Sequence, residues 1–156
     1  MAISISLETD SHLKRQLQEH LTTRLPEWFG QPESNRKFAA QAEVLPGYIA
    51  RVDGVPKGML LLKKHSDISA EIYWLAVDRD CHRAGLGRAL IEIGCQKAQA
   101  EKAKFLFVYT LHPGVNYEPY KRTGLFYEAM GFHYVLEEQI ADEVNPLALY
   151  MKCLSR

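Results

Sequence analysis

The sequence predicts a mixed α/β fold, and the order of its hydrophobic patterns is the main reason. Strict alternation in residues 2–8 predicts a half-buried strand, and the apolar runs on either side of Asp53-Gly54 predict a β-hairpin. The apolar run 72–77 leads into a glycine-containing turn, a helical pattern and another apolar run at 105–110. This order predicts antiparallel strands first and one strand–helix–strand crossover in the middle of the chain.

The remaining elements follow from the same periodicities and from local start and stop signals. Asp10 or Ser11 is predicted to cap the first helix, Pro26 to end it, and Ser34 or Asn35 to cap the second. Gly131 is predicted to follow a helix C-terminus, where a left-handed residue is favoured. Strands are predicted at about 2–8, 48–52, 57–64, 72–77, 105–110, 132–136 and 147–154. Helices are predicted at about 11–25, 35–43, 87–103 and 120–130.

Length, charge and cysteine content limit the classes of protein. The 156 residues, of which 47% are hydrophobic, fit a single globular domain over 1–156. The formal net charge is zero, whereas a nucleic-acid partner would require a basic excess. No apolar run reaches the length of a membrane span, and the N-terminus lacks a signal-peptide pattern. Cys81, Cys95 and Cys153 show no metal-ligand spacing, so we expect no metal and a reducing cytoplasm.

The segment 71–90 is predicted to bind a phosphate group. An apolar strand leads into a basic turn with two glycines and then into a helix, whose first N–H groups and dipole attract anions. Gly87-Arg88-Ala89 lacks the Lys-Ser/Thr pair of a P-loop, and Leu90 stands where a dinucleotide fingerprint has Gly or Ala. On this segment alone, a glycine-rich connection without any ligand stays equally open.

Two motifs resemble those of the GNAT-type N-acetyltransferases. The first is the acetyl-CoA turn, His82-Arg83-Ala84-Gly85-Leu86-Gly87, which follows the strand end Leu75-Ala76-Val77-Asp78. His82 stands where the family usually has Gln or Arg. The second motif lies at 120–132 and ends in Phe126-Tyr127-Glu128-Ala129-Met130-Gly131-Phe132. Tyr120 stands where many members have Asn. Two motifs in this order, with a predicted strand between them, make the resemblance specific over residues 45–156.

The resemblance implies the GNAT acyl-CoA N-acyltransferase fold, a splayed and mostly antiparallel central sheet flanked by helices. It implies acetyl-CoA as cosubstrate and direct acetyl transfer to a primary amine in a ternary complex, without a metal. In that family the pantetheine arm pairs with the strand end, and the pyrophosphate lies on the turn. The cofactor-binding residues implied are Leu75, Ala76, Val77, His82, Arg83, Ala84, Gly85, Leu86, Gly87, Arg88, Ala89 and Tyr120.

Glu71 and Tyr127 are the candidate catalytic residues. A lysine-type amine has a pKa of about 10.4, so a base must remove its proton. Glu71 is the candidate base, directly or through water, and a solvent-facing residue at a strand start is the equal alternative. The resemblance implies that Tyr127 protonates the departing thiolate, with a core tyrosine beside Phe126 as the alternative. It also implies the backbone N–H of Val77 as the donor to the oxyanion.

The sequence leaves the acceptor and one alternative function open. A small or antibiotic-like amine, an amino acid, and a protein N-terminus or lysine all remain candidates. A GNAT-fold module that binds acyl-CoA without turnover, as a sensor or assembly partner, would use the same turn. A homodimer is compatible with the sequence. The predicted loop 137–146 is acidic, and it either attracts cationic amines or is simply solvated. Trp28 and Phe29 are predicted to pack under their loop rather than to contact substrate.

Overall fold

A computed structural model of the chain describes residues 2–111, 118–139 and 146–154, apart from the side chain of Leu111. Within these residues the strands are β1 Ile3–Glu8, β2 Gly47–Val52, β3 Val55–Ser66, β4 Ser69–Val77, β5 Phe105–Leu111, β6 His133–Glu138 and β7 Leu147–Cys153. The helices are α1 Ser11–Arg24, α2 Pro32–Val44, α3 Leu86–Ala100 and α4 Glu118–Ala129, and a short 3₁₀ helix covers Arg79–Cys81.

The strands form one sheet in the order β1-β2-β3-β4-β5-β7-β6. β4 and β5 pair in parallel, whereas β1 with β2, β2 with β3, β5 with β7 and β6 with β7 pair antiparallel. The parallel ladder runs from the pair Ser69–Phe105 to the pair Glu71–Phe107. The predicted mixed α/β fold with a mostly antiparallel sheet is therefore confirmed.

Two compact units divide the chain, and β3, β4 and α3 contribute residues to both. One unit contains the residues up to Lys63 together with Tyr73–Gln96, and the other contains Lys64–Ile72 and the residues from Lys97 onward. In the first unit, apolar residues from α1, α2 and the central strands form a buried cluster of Leu17, Leu21, Leu25, Ala42, Ile49, Met59, Leu61, Trp74 and Ala76. Buried residues of the second unit include Ala98, Ala103, Leu106, Val108, Phe132, Ala148 and Tyr150.

The two local glycine signals adopt the predicted conformations. Asp53 and Gly54 have φ angles of 50° and 84°, and Val52 pairs with Val55, so the predicted hairpin is present and its turn is of type I′. Gly131 has a φ angle of 92°. Its N–H donates to the carbonyl of Glu128, and the N–H of Phe132 donates to the carbonyl of Tyr127, both at 3.0 Å. These two bonds form the Schellman motif that ends α4.

The helix starts depend on two different residues. Asp10 caps α1, since its Oδ1 accepts hydrogen bonds from the N–H groups of His12 and Leu13. The predicted start of α2 at Ser34 or Asn35 is wrong, because the helix begins at Pro32. Proline suits the first helical position, where its missing N–H would have had no partner in the helix.

Two predicted loops are shorter than expected. The segment between β3 and β4 is a tight turn, across which the hydroxyls of Ser66 and Ser69 hydrogen-bond at 2.7 Å. Strand β6 continues to Glu138, so Glu137 and Glu138 are strand residues rather than part of the predicted acidic loop. Positions 140–145 of that loop lie outside the described residues.

Helix α3 ends at Ala100, before the predicted end at 103.

We predict that the replacement Gly131→Ala lowers the free energy of unfolding by roughly 1–2 kcal/mol, the usual cost of a left-handed L-residue. The new Cβ would lie 3.4 Å from the flexible end of Lys152, so the backbone conformation and not a collision is the main cause. Gly131→Asn is the matched control and should lose less, because Asn tolerates this conformation better. Urea unfolding of the three proteins measures the difference, and equal stability of the Ala variant would contradict the prediction.

Candidate active site

The turn between β4 and α3 is built from residues with unusual backbone angles. Asp78 follows β4, and its N–H donates to the carbonyl of Lys57 at 2.7 Å. Arg83 and Gly85 then have positive φ angles of 70° and 85°. An ideal Cβ at Gly85 would meet no atom of the described part of the chain within 4 Å. The backbone at Gly85 is therefore approachable by a ligand on that side.

The carboxylate of Asp78 holds this turn, although its side chain is only 2% exposed. Its Oδ1 accepts a hydrogen bond from the N–H of Asp80 at 3.2 Å and one from Nε of Arg24 at 2.9 Å. Burial alone would raise the pKa of the Asp78 carboxyl, but these hydrogen bonds and the nearby charges of Arg24 and Lys57 hold the pKa below its ordinary value. Asp78 is thus an anion buried with its partners.

A second ion pair and an imidazole add to the same turn. Arg79 pairs with Glu27, and the Nε2–H of His82 donates to the carbonyl of Val77 at 2.8 Å. The ring of Trp28 makes an edge contact with the ring of His82, with 5.8 Å between centroids. Because His82 is bonded to the backbone of β4, its role within the turn is at least partly structural.

Trp28 and Phe29 pack as predicted. The ring centroids of Phe29 and Trp74 are 5.4 Å apart, and both Trp28 and Phe29 pack against the buried cluster of the first unit.

The first turn of α3 follows directly. The N–H of Ala89 donates to the carbonyl of Gly85 at 3.0 Å, which is the first bond of the helix. The N–H groups of Leu86, Gly87 and Arg88 precede that bond and have no acceptor within a helix. Leu86 is fully buried, so the exposed surface here belongs to Gly85 and Arg88 on either side. The turn therefore ends in a group of N–H donors at the positive end of a helix dipole.

Glu71 lies inside β4 and not at its start. Its side chain is 11% exposed, and its Oε1 lies 2.7 Å from Nε2 of His65 on β3. The alternative of a solvent-facing residue at a strand start is therefore wrong, because β4 begins two residues earlier, at Ser69. A largely buried carboxylate with an imidazole partner is an arrangement suited to proton transfer.

A tyrosine and a second carboxylate lie in the same unit. The hydroxyl of Tyr109 on β5 donates to Oε2 of Glu138 on β6 at 2.8 Å. Burial, then the hydrogen bond to Glu138 and the charges of Glu138 and Glu71, raise the pKa of Tyr109 to about 12. The ring of Phe107 contacts the rings of both His65 and Tyr109, with centroids 5.1 and 5.9 Å away.

Tyr127 is buried in α4, with 5% of its surface exposed. Its ring contacts those of Phe126 and Phe132, with centroids 5.4 and 5.6 Å away. Burial raises the pKa of the Tyr127 hydroxyl above its ordinary value. The predicted contact with Phe126 is therefore present, and the hydroxyl keeps its proton at neutral pH. Tyr120 lies in the first turn of the same helix and is half-buried.

The predicted site residues fall into two groups. The strand end Leu75–Val77 and the turn 82–89 belong to the first unit, and Glu71, Tyr120 and Tyr127 to the second. His65, Arg24 and Tyr109 were not predicted as site residues. For His65 a signal existed, since Ser66-Asp67-Ile68-Ser69 is short enough for a hairpin that brings its two strands together.

Two features are absent from the ranges 2–111, 118–139 and 146–154. Within them, no three or more His, Cys, Asp or Glu side chains are arranged to hold a metal ion. No helix there combines the length and the apolar character that crossing a membrane requires.

Comparison with protein families gives one match. The model of the acetyltransferase (GNAT) family matches residues 14–132, which include the strand end, the turn and the end of α4. The curated proteins contain no match to this chain.

Solved structures with a similar fold include three acetyltransferases. A protein from Desulfovibrio desulfuricans assigned to the GNAT family has a TM-score of 0.80 at 19% identity, over 99% of this chain and 100% of its own. The ribosomal-protein-S18-alanine N-acetyltransferase of Escherichia coli has a TM-score of 0.76 at 21% identity, over 99% and 96%. A GNAT family acetyltransferase from Elizabethkingia anophelis with acetyl-CoA bound has a TM-score of 0.73 at 16% identity, over 97% and 98%. At these identities the likeness shows a shared fold.

Proposed function

Because the chain belongs to the GNAT acetyltransferase family, we propose that it transfers the acetyl group of acetyl-CoA to a primary amine by direct attack in a ternary complex. The observation that carries the proposal is the turn after β4. It combines a left-handed glycine, open space beside that glycine, and the N-terminus of a 15-residue helix. These are the features that a pyrophosphate requires.

The residues of the turn fit the phosphates of acetyl-CoA. Backbone N–H groups from Arg83 to Arg88 would hold the pyrophosphate, with the side chains of Arg83 and Arg88, both exposed, as further cations. Ala84 and Ala89 keep the surface of the turn small. When bound, acetyl-CoA supplies the activated thioester whose acetyl group is transferred.

The end of β4 would orient the thioester. Backbone groups of Leu75, Ala76 and Val77 would pair with the pantetheine arm as an added strand does. The carbonyl of Val77 already accepts a hydrogen bond from His82, so we assign the N–H of Val77 to the oxyanion that forms during acyl transfer. His82 thereby holds the Val77–Asp78 peptide, which adjoins the peptide that carries this N–H.

Glu71 is the base in this proposal. Its burial and its hydrogen bond with His65 support a role beyond surface charge. Six positions separate Glu71 from Val77 along β4. At a rise of about 3.3 Å per residue, this separation is too long for a direct hydrogen bond. We therefore propose that the proton of the amine reaches Glu71 through water.

Tyr127 would act on the leaving thiolate. A hydroxyl with a raised pKa remains protonated at neutral pH and can donate a hydrogen bond to sulfur. The same rise makes full proton transfer to a thiolate, whose ordinary pKa is about 8.5, less favourable. Tyr127 would therefore contribute mainly by stabilising the sulfur anion. Tyr120 is retained as a cofactor-side residue of the same helix.

The wider assignment follows the same proposal. Residues 1–156 would form one acetyltransferase domain, in which β4 carries both Glu71 and Val77. A cytoplasmic location suits Cys81, Cys95 and Cys153, which are free thiols. The acceptor is a small-molecule amine or an amine of a protein.

The test of this function is acetyl transfer over a panel of amines. The panel contains peptides with a free N-terminal alanine, because the Escherichia coli neighbour is named for an alanine of ribosomal protein S18. It also contains lysine peptides, amino acids, polyamines and aminoglycosides. We expect thiol release together with an acetylated product, identified by mass spectrometry. Binding of acetyl-CoA without turnover on any amine would favour a non-catalytic sensor module instead.

We predict that Gly85→Glu strongly weakens the binding of CoA. A unit charge beside the pyrophosphate costs on the order of 3 kcal/mol, which is roughly a 100-fold loss of affinity. The new side chain would point into open space rather than into the protein. Isothermal titration calorimetry with CoA measures the affinity.

Two matched variants separate the causes of that loss. Gly85→Ala imposes only the strain of a left-handed residue, and Gly85→Gln adds bulk without charge. We expect the affinity to fall in the order wild type, Ala, Gln, Glu. A folded Gly85→Glu protein with wild-type affinity would show that the pyrophosphate lies elsewhere.

We predict that Tyr127→Phe lowers kcat by roughly 10- to 100-fold, less than a full general acid contributes, because burial raises the pKa of the hydroxyl. The affinity for acetyl-CoA should change little. Phe126→Leu, which changes the neighbouring ring and leaves the hydroxyl, is the control for altered packing. Single-turnover kinetics isolate the chemical step, and an unchanged rate of that step would return Tyr127 to a purely structural role.

A further inference from the structure

His65 offers the buried carboxylate of Glu71 a connection to solvent. The Glu71 side chain is 11% exposed, whereas that of His65 is 37% exposed, and the two are joined by a 2.7 Å contact between Oε1 and Nε2. A base must lose in each turnover the proton that it has gained. An imidazole can accept a proton on one nitrogen and release another from its second nitrogen.

We propose that His65 is a positioning residue for the acetyl transfer, which holds Glu71 in place and carries its proton to solvent. This inference rests on the proposed function, since it requires Glu71 to act as the base. It adds a residue from β3 that neither of the family motifs in this sequence contains.

Two neighbours of the pair, Tyr109 and Phe107, do not carry its proton at neutral pH. The pKa of Tyr109 is raised to about 12, in part by the charge of Glu71, so the phenol retains its proton at neutral pH. Its hydroxyl already donates a hydrogen bond to Glu138. The ring of Phe107 covers one side of the imidazole, with a centroid distance of 5.1 Å, and cannot carry a proton.

The turn next to the pair gives it a defined geometry. The hydroxyls of Ser66 and Ser69 are bonded to each other at 2.7 Å, and the Ser66 hydroxyl also accepts the N–H of Ile68 at 3.3 Å. His65 directly precedes this turn, and Glu71 follows it by two residues. The contact thus links two strands that a short, internally bonded turn joins.

The relay moves one proton from the ammonium to solvent in each turnover. At rest the ring proton of His65 is on Nε2, which donates it in a hydrogen bond to ionised Glu71. An N–H bond of the ammonium breaks, and an O–H bond forms on Glu71 through water. Exchange with solvent then moves the ring proton of His65 to Nδ1, and the lone pair of Nε2 takes the proton from Glu71, so the O–H bond breaks and an N–H bond forms. The imidazolium releases its Nδ1 proton to water, which restores the resting tautomer, and no electron changes hands.

The test uses two variants of the full chain, His65→Ala and His65→Gln. The first removes both the contact with Glu71 and the relay, and the second keeps an amide near the carboxylate but cannot relay a proton. We expect kcat to fall by roughly 10-fold or more in both, within the range of proton-transfer effects, with the KM for acetyl-CoA unchanged. His12→Gln, at an exposed histidine of α1, is the matched control and should keep the wild-type kcat.

Added imidazole distinguishes the relay from packing. In His65→Ala the vacated space should admit imidazole, and kcat should rise with its concentration. No rise should occur in His65→Gln, where the space is filled, or in His65→Ala combined with Glu71→Gln, where no carboxylate delivers a proton. Mass spectrometry of the acetylated acceptor measures the rate, so that acetylation of imidazole itself is not counted.

Each outcome either supports or overturns the relay through His65. A fall in both variants, with rescue confined to His65→Ala, supports the relay. Unchanged kcat in His65→Ala, wild-type kcat in His65→Gln, or absence of rescue overturns it while the proposed function stands. Absence of turnover in the wild-type protein overturns the proposed function first and this inference with it. Circular dichroism and the affinity for CoA show that each variant is folded.

Discussion

The buried carboxylate of Asp78 is the interaction on which the proposed cofactor turn depends. The carboxylate connects Arg24 of α1 with the 3₁₀ helix, and the backbone N–H of Asp78 donates a hydrogen bond to the carbonyl of Lys57 on β3. A buried charge is costly unless it is paired and hydrogen-bonded, so this carboxylate permits few alternative arrangements. Such constraint matters next to Arg83, whose positive φ angle persists only when its surroundings enforce it.

Features that depend on neighbouring residues could be predicted from the sequence. Asp53-Gly54 required a type I′ turn, and Gly131 required a left-handed helix end, because few residues tolerate those backbone angles. The paired glycine and hydrophobic motifs identified the family for the same reason, since close approach to a phosphate demands particular residues at fixed spacing. The start of α2 was missed because Pro32 needs no side-chain cap, whereas the prediction looked for one at Ser34 or Asn35.

Features that depend on distant partners could not be predicted. Arg24 and Asp78 are 54 positions apart, and Tyr109 and Glu138 are 29 positions apart. Nothing in the local pattern around either residue indicates its partner. The sequence left two alternatives for Glu71 equally open, a base and a surface residue. Its burial depends on strands β3 and β5 and not on its neighbours in sequence.

The sharing of β4 and α3 between the compact units has a consequence for folding cooperativity. Ser69–Ile72 belong to one unit and Tyr73–Val77 to the other, and α3 is divided at Gln96. When half of a strand or helix unfolds, the remaining half loses hydrogen bonds to it. Unfolding of one unit therefore also destabilises the parts of β4 and α3 that belong to the other unit. We therefore expect the backbone hydrogen bonds of β4 to open together rather than one unit at a time.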